Sequence, residues 1–449
     1  MVDTTAVFKA YDIRGTYPDQ IDERLARAIG SAFATFAAVP KIVVARDMRP
    51  SGESLCDAFA QGARAVGVEV VDLGLASTDF LYYATGHLDA PGAMFTASHN
   101  PAQYNGIKLC LGGARPIGVD TGLREIEEAT RAFYDRPASA ELAPIKDLDL
   151  MDEWVAHVHS FVELSTLRPL RIVADAANGM GGFIAPKVFA GLPFEVELLY
   201  GDLDGTFPNH PADPLNPDNL VDLQRRVLET GADLGLAFDG DADRVFLIDE
   251  KAQPVSGSTT TAMVAAAMLR RNPGSTILYN LICSKAVPEV IAEGGGVGVR
   301  TRVGHSYIKQ VMADTGAVFG GEHSGHYYYR DNYRADSGII TAMIVLELLS
   351  VAGGPMSDLV RPYRRYGDSG EINTVVEDPA GVVAKLAERL GDGSAQIDLL
   401  DGLTADYGTW WFNLRPSNTE PLLRLNVEAA NDEQCRSRVR EVLAMIKEL

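Results

Sequence analysis

One pattern recurs three times along the chain and narrows it to a small set of architectures. Each copy opens with a β-branched run and a polar or glycine turn: KIVVARDMRPSG (41–52), RIVADAANGMGG (171–182) and STILYNLICSK (275–285). A helix-like stretch follows, then a second β-rich run: VGVEVVDLG (66–74), LPFEVELLY (192–200) and GGVGVRTRVG (295–304). A short third run closes each copy: GAMF (92–95), LGLAF (234–238) and GAVFG (316–320). Strands alternating with helical stretches predict βαβ units and parallel or mixed sheets. The C-terminal part reads differently. GEINTVVEDPAGVVAKLAERL (370–390) predicts a strand and a helix, TWWFNLRPSNTEPLLRLNVEAA (409–430) two strands around a polar turn, and NDEQCRSRVREVLAMIKEL (431–449) an amphipathic helix. At 449 residues the chain exceeds one hydrophobic core. The expected fold is α/β, with three homologous mixed-sheet domains at 1–145, 146–253 and 254–364 and an α+β domain at 365–449.

Open α/β sheets bind ligands beyond the carboxyl ends of their strands. Directly after the three closing runs stand TASHNP (96–101), DGDADR (239–244) and GEHSGH (321–326). Three polar, ligand-type loops in equivalent places predict one shared site.

DGDADR sets Asp239, Asp241 and Asp243 at every second position on small spacers. Such carboxylates can converge on one hard cation, and Mg²⁺ and Ca²⁺ both want oxygen ligands. Counted as an EF-hand loop from Asp239, the twelfth residue is Glu250, which fits. The sixth is Arg244 where the turn needs glycine, and VFLID (245–249) has strand character, so that pattern fails. In TASHNP, the closing Asn-Pro predicts a turn at Ser98, whose hydroxyl can carry a transferable phosphate. In an extended chain His99 would point to the opposite face. Lys108 follows an Asn-Gly pair at 105–106 that reads as a turn. Arg14, in FKAYDIRG (8–15), offers a guanidinium to a phosphate. GHS (304–306) and GEHSGH carry His305, Glu322, Ser324 and His326; in an extended segment Glu322 and Ser324 share a face and can reach sugar hydroxyls. RPSNTEP (415–421) groups Arg415, Ser417, Asn418 and Thr419, a bidentate cation with neutral donors that suits a phosphate.

Composition sets limits on partners. The formal net charge of −21 repels nucleic acid and anionic membranes, so neither is expected as a partner. It also repels phosphate esters, so local cations must overcome it at the site. No run approaches the roughly 18 apolar residues of a membrane helix. MVDTTAVFKAYDIRG lacks the pattern of a signal peptide. Cys56, Cys110, Cys283 and Cys435 form no CxxC pair, as expected of reduced cytoplasmic thiols.

Together, TASHNP, DGDADR, GEHSGH and RPSNTEP resemble, in order, the phosphoserine, metal, sugar and phosphate loops of the α-D-phosphohexomutase family. FKAYDIRG, GEHSGH and RPSNTEP look most like its bacterial phosphomannomutase/phosphoglucomutase branch. The resemblance implies four domains around a central cleft and interconversion of hexose 6-phosphate and hexose 1-phosphate, of mannose and/or glucose. It implies a phosphorylated Ser98, Mg²⁺ held by that residue with Asp239, Asp241 and Asp243, and a hexose 1,6-bisphosphate intermediate that also serves as activator. It places Arg14, Lys108 and Arg244 about the transferring group, with Lys108 or His326 moving the proton. It gives substrate binding to Lys285, His305, Glu322, Ser324, Arg415, Ser417, Asn418 and Thr419. A phosphoglucosamine mutase, or a non-catalytic sugar-phosphate-binding protein on the same scaffold, is the alternative; the assembly is expected to be a monomer or homodimer.

Overall fold

The computed structural model describes residues 4–137, 139–391, 393, 395–416 and 422–449. Ser417, Asn418 and Thr419 therefore lie outside the described residues, as does the side chain of His305. The chain forms two compact units. The first runs to Ser256 and includes Ser324–Leu359; the second combines Gly257–His323 with Val360–Leu449. No helix among the described residues is long and apolar enough to cross a membrane.

The threefold repeat is present in the sheets. In the first copy, Lys41–Arg46 lies between Glu69–Leu75 and Gly92–Phe95 and is parallel to both. In the second, Leu170–Asp175 lies between Phe194–Leu199 and Leu234–Phe238, again parallel to both. In the third, Thr276–Asn280 has the same relation to Val297–Thr301 and Phe319–Gly321. Each opening run is thus the inner strand of its copy, with both faces covered. The continuous apolar stretches IVVA and IVA are what such strands require; the closing run Leu234–Phe238, itself between two strands, is buried throughout.

The first two copies extend into mixed sheets in the first unit. Tyr104–Leu111 runs antiparallel to Gly92–Phe95, and Ile13–Thr16 antiparallel to Tyr104–Leu111. Asn105 and Gly106, read from sequence as a turn, are strand residues here, with Gly106 opposite Arg14. In the second sheet Val245–Asp249 returns antiparallel to Leu234–Phe238, so DGDADR is the connection of a hairpin.

In the second unit, the C-terminal sheet orders its strands Gly367–Val375, Leu422–Ala429, Trp410–Pro416, Leu403–Asp406 and Gln396–Asp398. Period-2 alternation gives it two unlike faces. Trp410, Phe412, Leu414, Leu423, Leu425 and Val427 join the core formed with the helices Pro379–Arg389 and Asp432–Lys447. Trp411, Asn413, Arg415, Arg424, Asn426 and Glu428 alternate with them in the same two strands.

The helices Glu23–Ala37 and Gly52–Ala65 touch backbone to backbone. A Cβ on Gly62 would stand 1.9 Å from the Arg27 carbonyl oxygen, and Ser31 Oγ donates to the Gly62 carbonyl at 2.8 Å. Two effects oppose each other in Gly62→Ala: helix propensity favours it by up to about 1 kcal/mol, while the clash forces the helices apart at a cost of roughly 1–3 kcal/mol. The clash is expected to win, so Gly62→Ala lowers the urea midpoint; a raised midpoint contradicts this packing.

Candidate active site

Two loops of the first unit meet at one buried point. Ser98 adopts a left-handed conformation, φ +49°, uncommon for a residue with a side chain. Its backbone N–H donates to Thr96 Oγ1 at 2.9 Å, and its hydroxyl donates to Asp239 Oδ2 at 2.9 Å. The approach needs a glycine opposite: a Cβ on Gly240 would stand 2.4 Å from the Ser98 carbonyl oxygen. The turned backbone also overturns the expected separation of neighbours, since His99 Nδ1 lies 3.3 Å from Ser98 Oγ. Burial and the nearby arginines Arg244 and Arg14 push the His99 imidazole well below its usual pKa, which keeps it neutral.

Asp239, Asp241 and Asp243 are almost without solvent exposure, and three such charges need compensation. Lys108 Nζ donates to Asp241 Oδ2 and Asp243 Oδ2, both at 2.7 Å. Arg244 Nε donates to Asp239 Oδ2 at 2.8 Å. Thr78 donates to Asp241 twice, from its hydroxyl to Oδ2 and from its N–H to the carbonyl. Burial opposes charge on Asp241, but the Lys108 ammonium outweighs it and holds that carboxyl far below the usual range. Burial, with Arg244 only partly offsetting it, pushes Asp239 up to about 8. Burial also works against the Lys108 ammonium, yet Asp241 and Asp243 raise its pKa well above the ordinary value.

The donor set fits a hard divalent cation. One oxygen from each aspartate lies within 4.8 Å of the other two. Among the described residues nothing donates a hydrogen bond to the buried Asp241 Oδ1 and Asp243 Oδ1, a costly condition for carboxylate oxygens and one that a cation relieves.

The other first-unit residues singled out from sequence gather here. Arg14 Nη1 donates to Asn100 Oδ1 at 2.6 Å and Nη2 to Asp12 Oδ2 at 2.5 Å, which ties it to the serine loop. His326 reaches the aspartate loop through a backbone bridge to Arg244. Its Nε2 lies 3.7 Å from Asp243 Oδ1 and its Nδ1 3.0 Å from Ser324 Oγ.

Residues 322–326 form a turn with Gly325 at φ +84°, not the extended segment expected, so Glu322 and Ser324 do not share a face by alternation. Glu322 belongs to the second unit, Ser324 to the first. Buried Glu322 Oε1 accepts from Asn280 Nδ2 and the Gly304 N–H. In the same unit Lys285 Nζ donates to Asp406 Oδ1 at 2.7 Å, and Arg415 Nη2 to Glu371 Oε2 at 2.8 Å.

Thr78 and Asp79 escape sequence reading. Ser77 and Ser337, the latter capping the helix Gly338–Ala352, both donate to the Asp79 carboxylate. Ser-Thr-Asp before an apolar helix is a cap signal, but it carries no hint of a partner more than 160 residues away in sequence.

Apart from the serine hydroxyl, this arrangement offers charge and hydrogen bonds rather than covalent chemistry. Phosphoryl transfer makes that division of labour: one nucleophile and much neutralisation. Models of the phosphoglucomutase/phosphomannomutase family match the chain in four parts. Alpha/beta/alpha domain I matches residues 5–135, domain II 152–253, domain III 256–366 and the C-terminal domain 371–445. The chain is 41% identical over 434 residues to a protein named phosphohexose mutases from Xanthomonas campestris, covering 96% of both chains. It is 38% identical over 448 residues to a phosphomannomutase of Salmonella montevideo, covering 98% of both. A crystal structure of a phosphoglucomutase/phosphomannomutase family protein from Burkholderia thailandensis superimposes with a TM-score of 0.90 at 32% identity, over 100% of this chain and 98% of that one. The chain belongs to the phosphoglucomutase/phosphomannomutase family and is an isomerase that works by phosphoryl transfer.

Two outcomes test this geometry. Asp241→Asn removes the most strongly ionised ligand, so Mn²⁺ affinity measured by electron paramagnetic resonance falls at least about tenfold; unchanged affinity rejects the metal assignment. Asp79, fully buried, has its pKa raised from 3.8 to about 7 by burial, with Ser337 and Ser77 lowering it only in part. A folded pKa above the unfolded one means that Asp79 favours folding while protonated and loses that contribution as pH rises from about 4 to about 7. Asp79→Asn is therefore expected to stabilise the fold more at pH 8 than at pH 5, by up to roughly 3 kcal/mol, read as a larger rise in melting temperature at pH 8. Equal shifts at both pH values refute the assignment.

Proposed function

We propose that this isomerase interconverts hexose 6-phosphate and hexose 1-phosphate, of mannose and/or glucose, by passing a phosphoryl group through Ser98 and a hexose 1,6-bisphosphate. The observation that carries the reading is the buried 2.9 Å hydrogen bond from Ser98 Oγ to Asp239 in a cluster of three aspartates. The Xanthomonas and Salmonella relatives, by their names, support the sugar class. Asp239, Asp241 and Asp243 would hold Mg²⁺, which as a Lewis acid would neutralise charge on the phosphoryl oxygens.

The chain's own residues supply the rest. In the forward half-reaction the bond between phosphorus and Ser98 Oγ breaks and a bond from phosphorus to a sugar hydroxyl oxygen forms. The hydroxyl proton goes to His326 Nε2, whose ring is oriented through Nδ1 by Ser324. Lys108, kept as an ammonium by Asp241 and Asp243, stabilises charge rather than accepting the proton. Arg14 and Arg244 flank the serine loop as further cations. Glu322, Lys285, His305 and the Arg415 to Thr419 segment, in the domains 254–364 and 365–449, would bind the sugar and its second phosphate. Anchoring the distant phosphate holds the reacting hydroxyl near Ser98, the positional gain of an intramolecular reaction.

Ser98→Ala is expected to abolish turnover while sugar-phosphate binding persists. Intact mass of the wild-type chain after exposure to glucose 1,6-bisphosphate should rise by about 80 Da, the mass of one phosphoryl group, and the variant's should not. Near-normal turnover of Ser98→Ala sinks the reading.

A further inference from the structure

Arg49 sits behind the serine loop, in the RDMRPSG segment that follows the strand Lys41–Arg46. It is 2% exposed, and its guanidinium is spent on backbone. Nη1 donates to the carbonyls of Pro101 and Tyr104, both at 2.9 Å. Nη2 donates to the carbonyls of Ser98 at 2.9 Å and Asn100 at 2.7 Å. The fifth donor, Nε, faces Asp47 Oδ2 at 3.3 Å, and Asp47 in turn accepts from the Arg49 N–H. The ring of Phe207, from a loop beyond the second sheet, lies over the guanidinium at 5.2 Å.

A buried arginine beside a phosphate-handling serine invites the role of phosphate ligand. The count of donors argues against it: guanidinium has five N–H groups, four are on carbonyls, and the fifth, which makes no hydrogen bond among the described residues, lies against the Asp47 carboxylate rather than toward the serine hydroxyl. What the four carbonyls share is the loop 98–104. A left-handed serine needs outside support, and the Ser98 carbonyl, closely approached by Gly240 on one side, is gripped by Arg49.

We propose that Arg49 is a positioning residue: it clamps the backbone of 98–104 so that Ser98 Oγ stays on Asp239, and Phe207 covers the clamp. The proposal rests on Ser98 being the phosphoryl carrier. Lysine cannot replace it, because an ammonium lacks the planar fork that reaches several carbonyls at once.

The test is Arg49→Lys, which keeps the charge beside Asp47. Turnover is expected to fall about 100-fold, the scale of a 1 Å misplacement, with KM for mannose 1-phosphate within about threefold of wild type. Amide exchange should quicken across 98–104 and stay unchanged in the strands of the second sheet. Turnover within about threefold of wild type, or exchange raised equally throughout both sheets, overturns the proposal. If Arg49→Lys does not fold, Phe207→Leu, which uncovers the clamp, should lower turnover about tenfold with the same local exchange; no change in either measure overturns it. Phosphorylation of the wild-type chain by glucose 1,6-bisphosphate is followed in parallel. Its absence means Ser98 is not the carrier, and both readings fall; its presence with an unaffected variant removes Arg49 alone.

Discussion

Three carboxylates placed where water hardly reaches are the constraint on which the first unit depends. Each buried charge costs several kcal/mol unless paired, and Asp239, Asp241 and Asp243 occupy one short hairpin connection. Their own loop supplies only Arg244. The rest must come from the other sheet: Lys108 from the strand Tyr104–Leu111, Thr78 from the start of the helix Thr78–His87, and the Ser98 hydroxyl from the connection after Gly92–Phe95. Two sheets built from separate stretches of chain are therefore joined by the site itself. Neutralisation is incomplete: among the described residues Lys108 and Arg244 are the lysine and arginine paired with the three carboxylates, and that deficit is what a divalent cation can fill.

The strands were legible because their signal is local. A short apolar, β-rich run looks the same wherever it sits, and the nine runs fell into three sheets with the same parallel order. The ligand loops were legible for a related reason: each follows a strand whose end could be read. What escaped depended on contacts remote in sequence. Asn105-Gly106 has turn chemistry, yet pairing with Ile13–Thr16 and Gly92–Phe95 on either side draws it into a strand. The turn read at Ser98 is present, but the opposite-face placement of His99 failed, because Gly240 and Thr96 together make room for and hold a left-handed Ser98. Arg49 reads as one more charged loop residue until the four carbonyls around it are seen.

The global charge of −21 raises the question of how a phosphate ester finds cations at all. In the first unit the answer is burial. Arg244 and Lys108 are nearly inaccessible, and in such surroundings the field of a nearby group is screened far less than at the surface. Distant surface acids lose their influence over the Debye length of about 8–10 Å, so the sign of the potential at Ser98 is set by a few fixed neighbours.

The second unit handles its cations differently. Lys285 is paired with Asp406, and Arg415 and Arg424 share Glu371 between adjacent strands. Arg415 and Arg424 are directly opposed in the register, an unfavourable like-charge pair on its own. Glu371 is what allows them to sit together. A dianionic phosphate can satisfy the same two guanidiniums with better bidentate geometry than one carboxylate. Glu371 keeps the two guanidiniums compensated within the sheet.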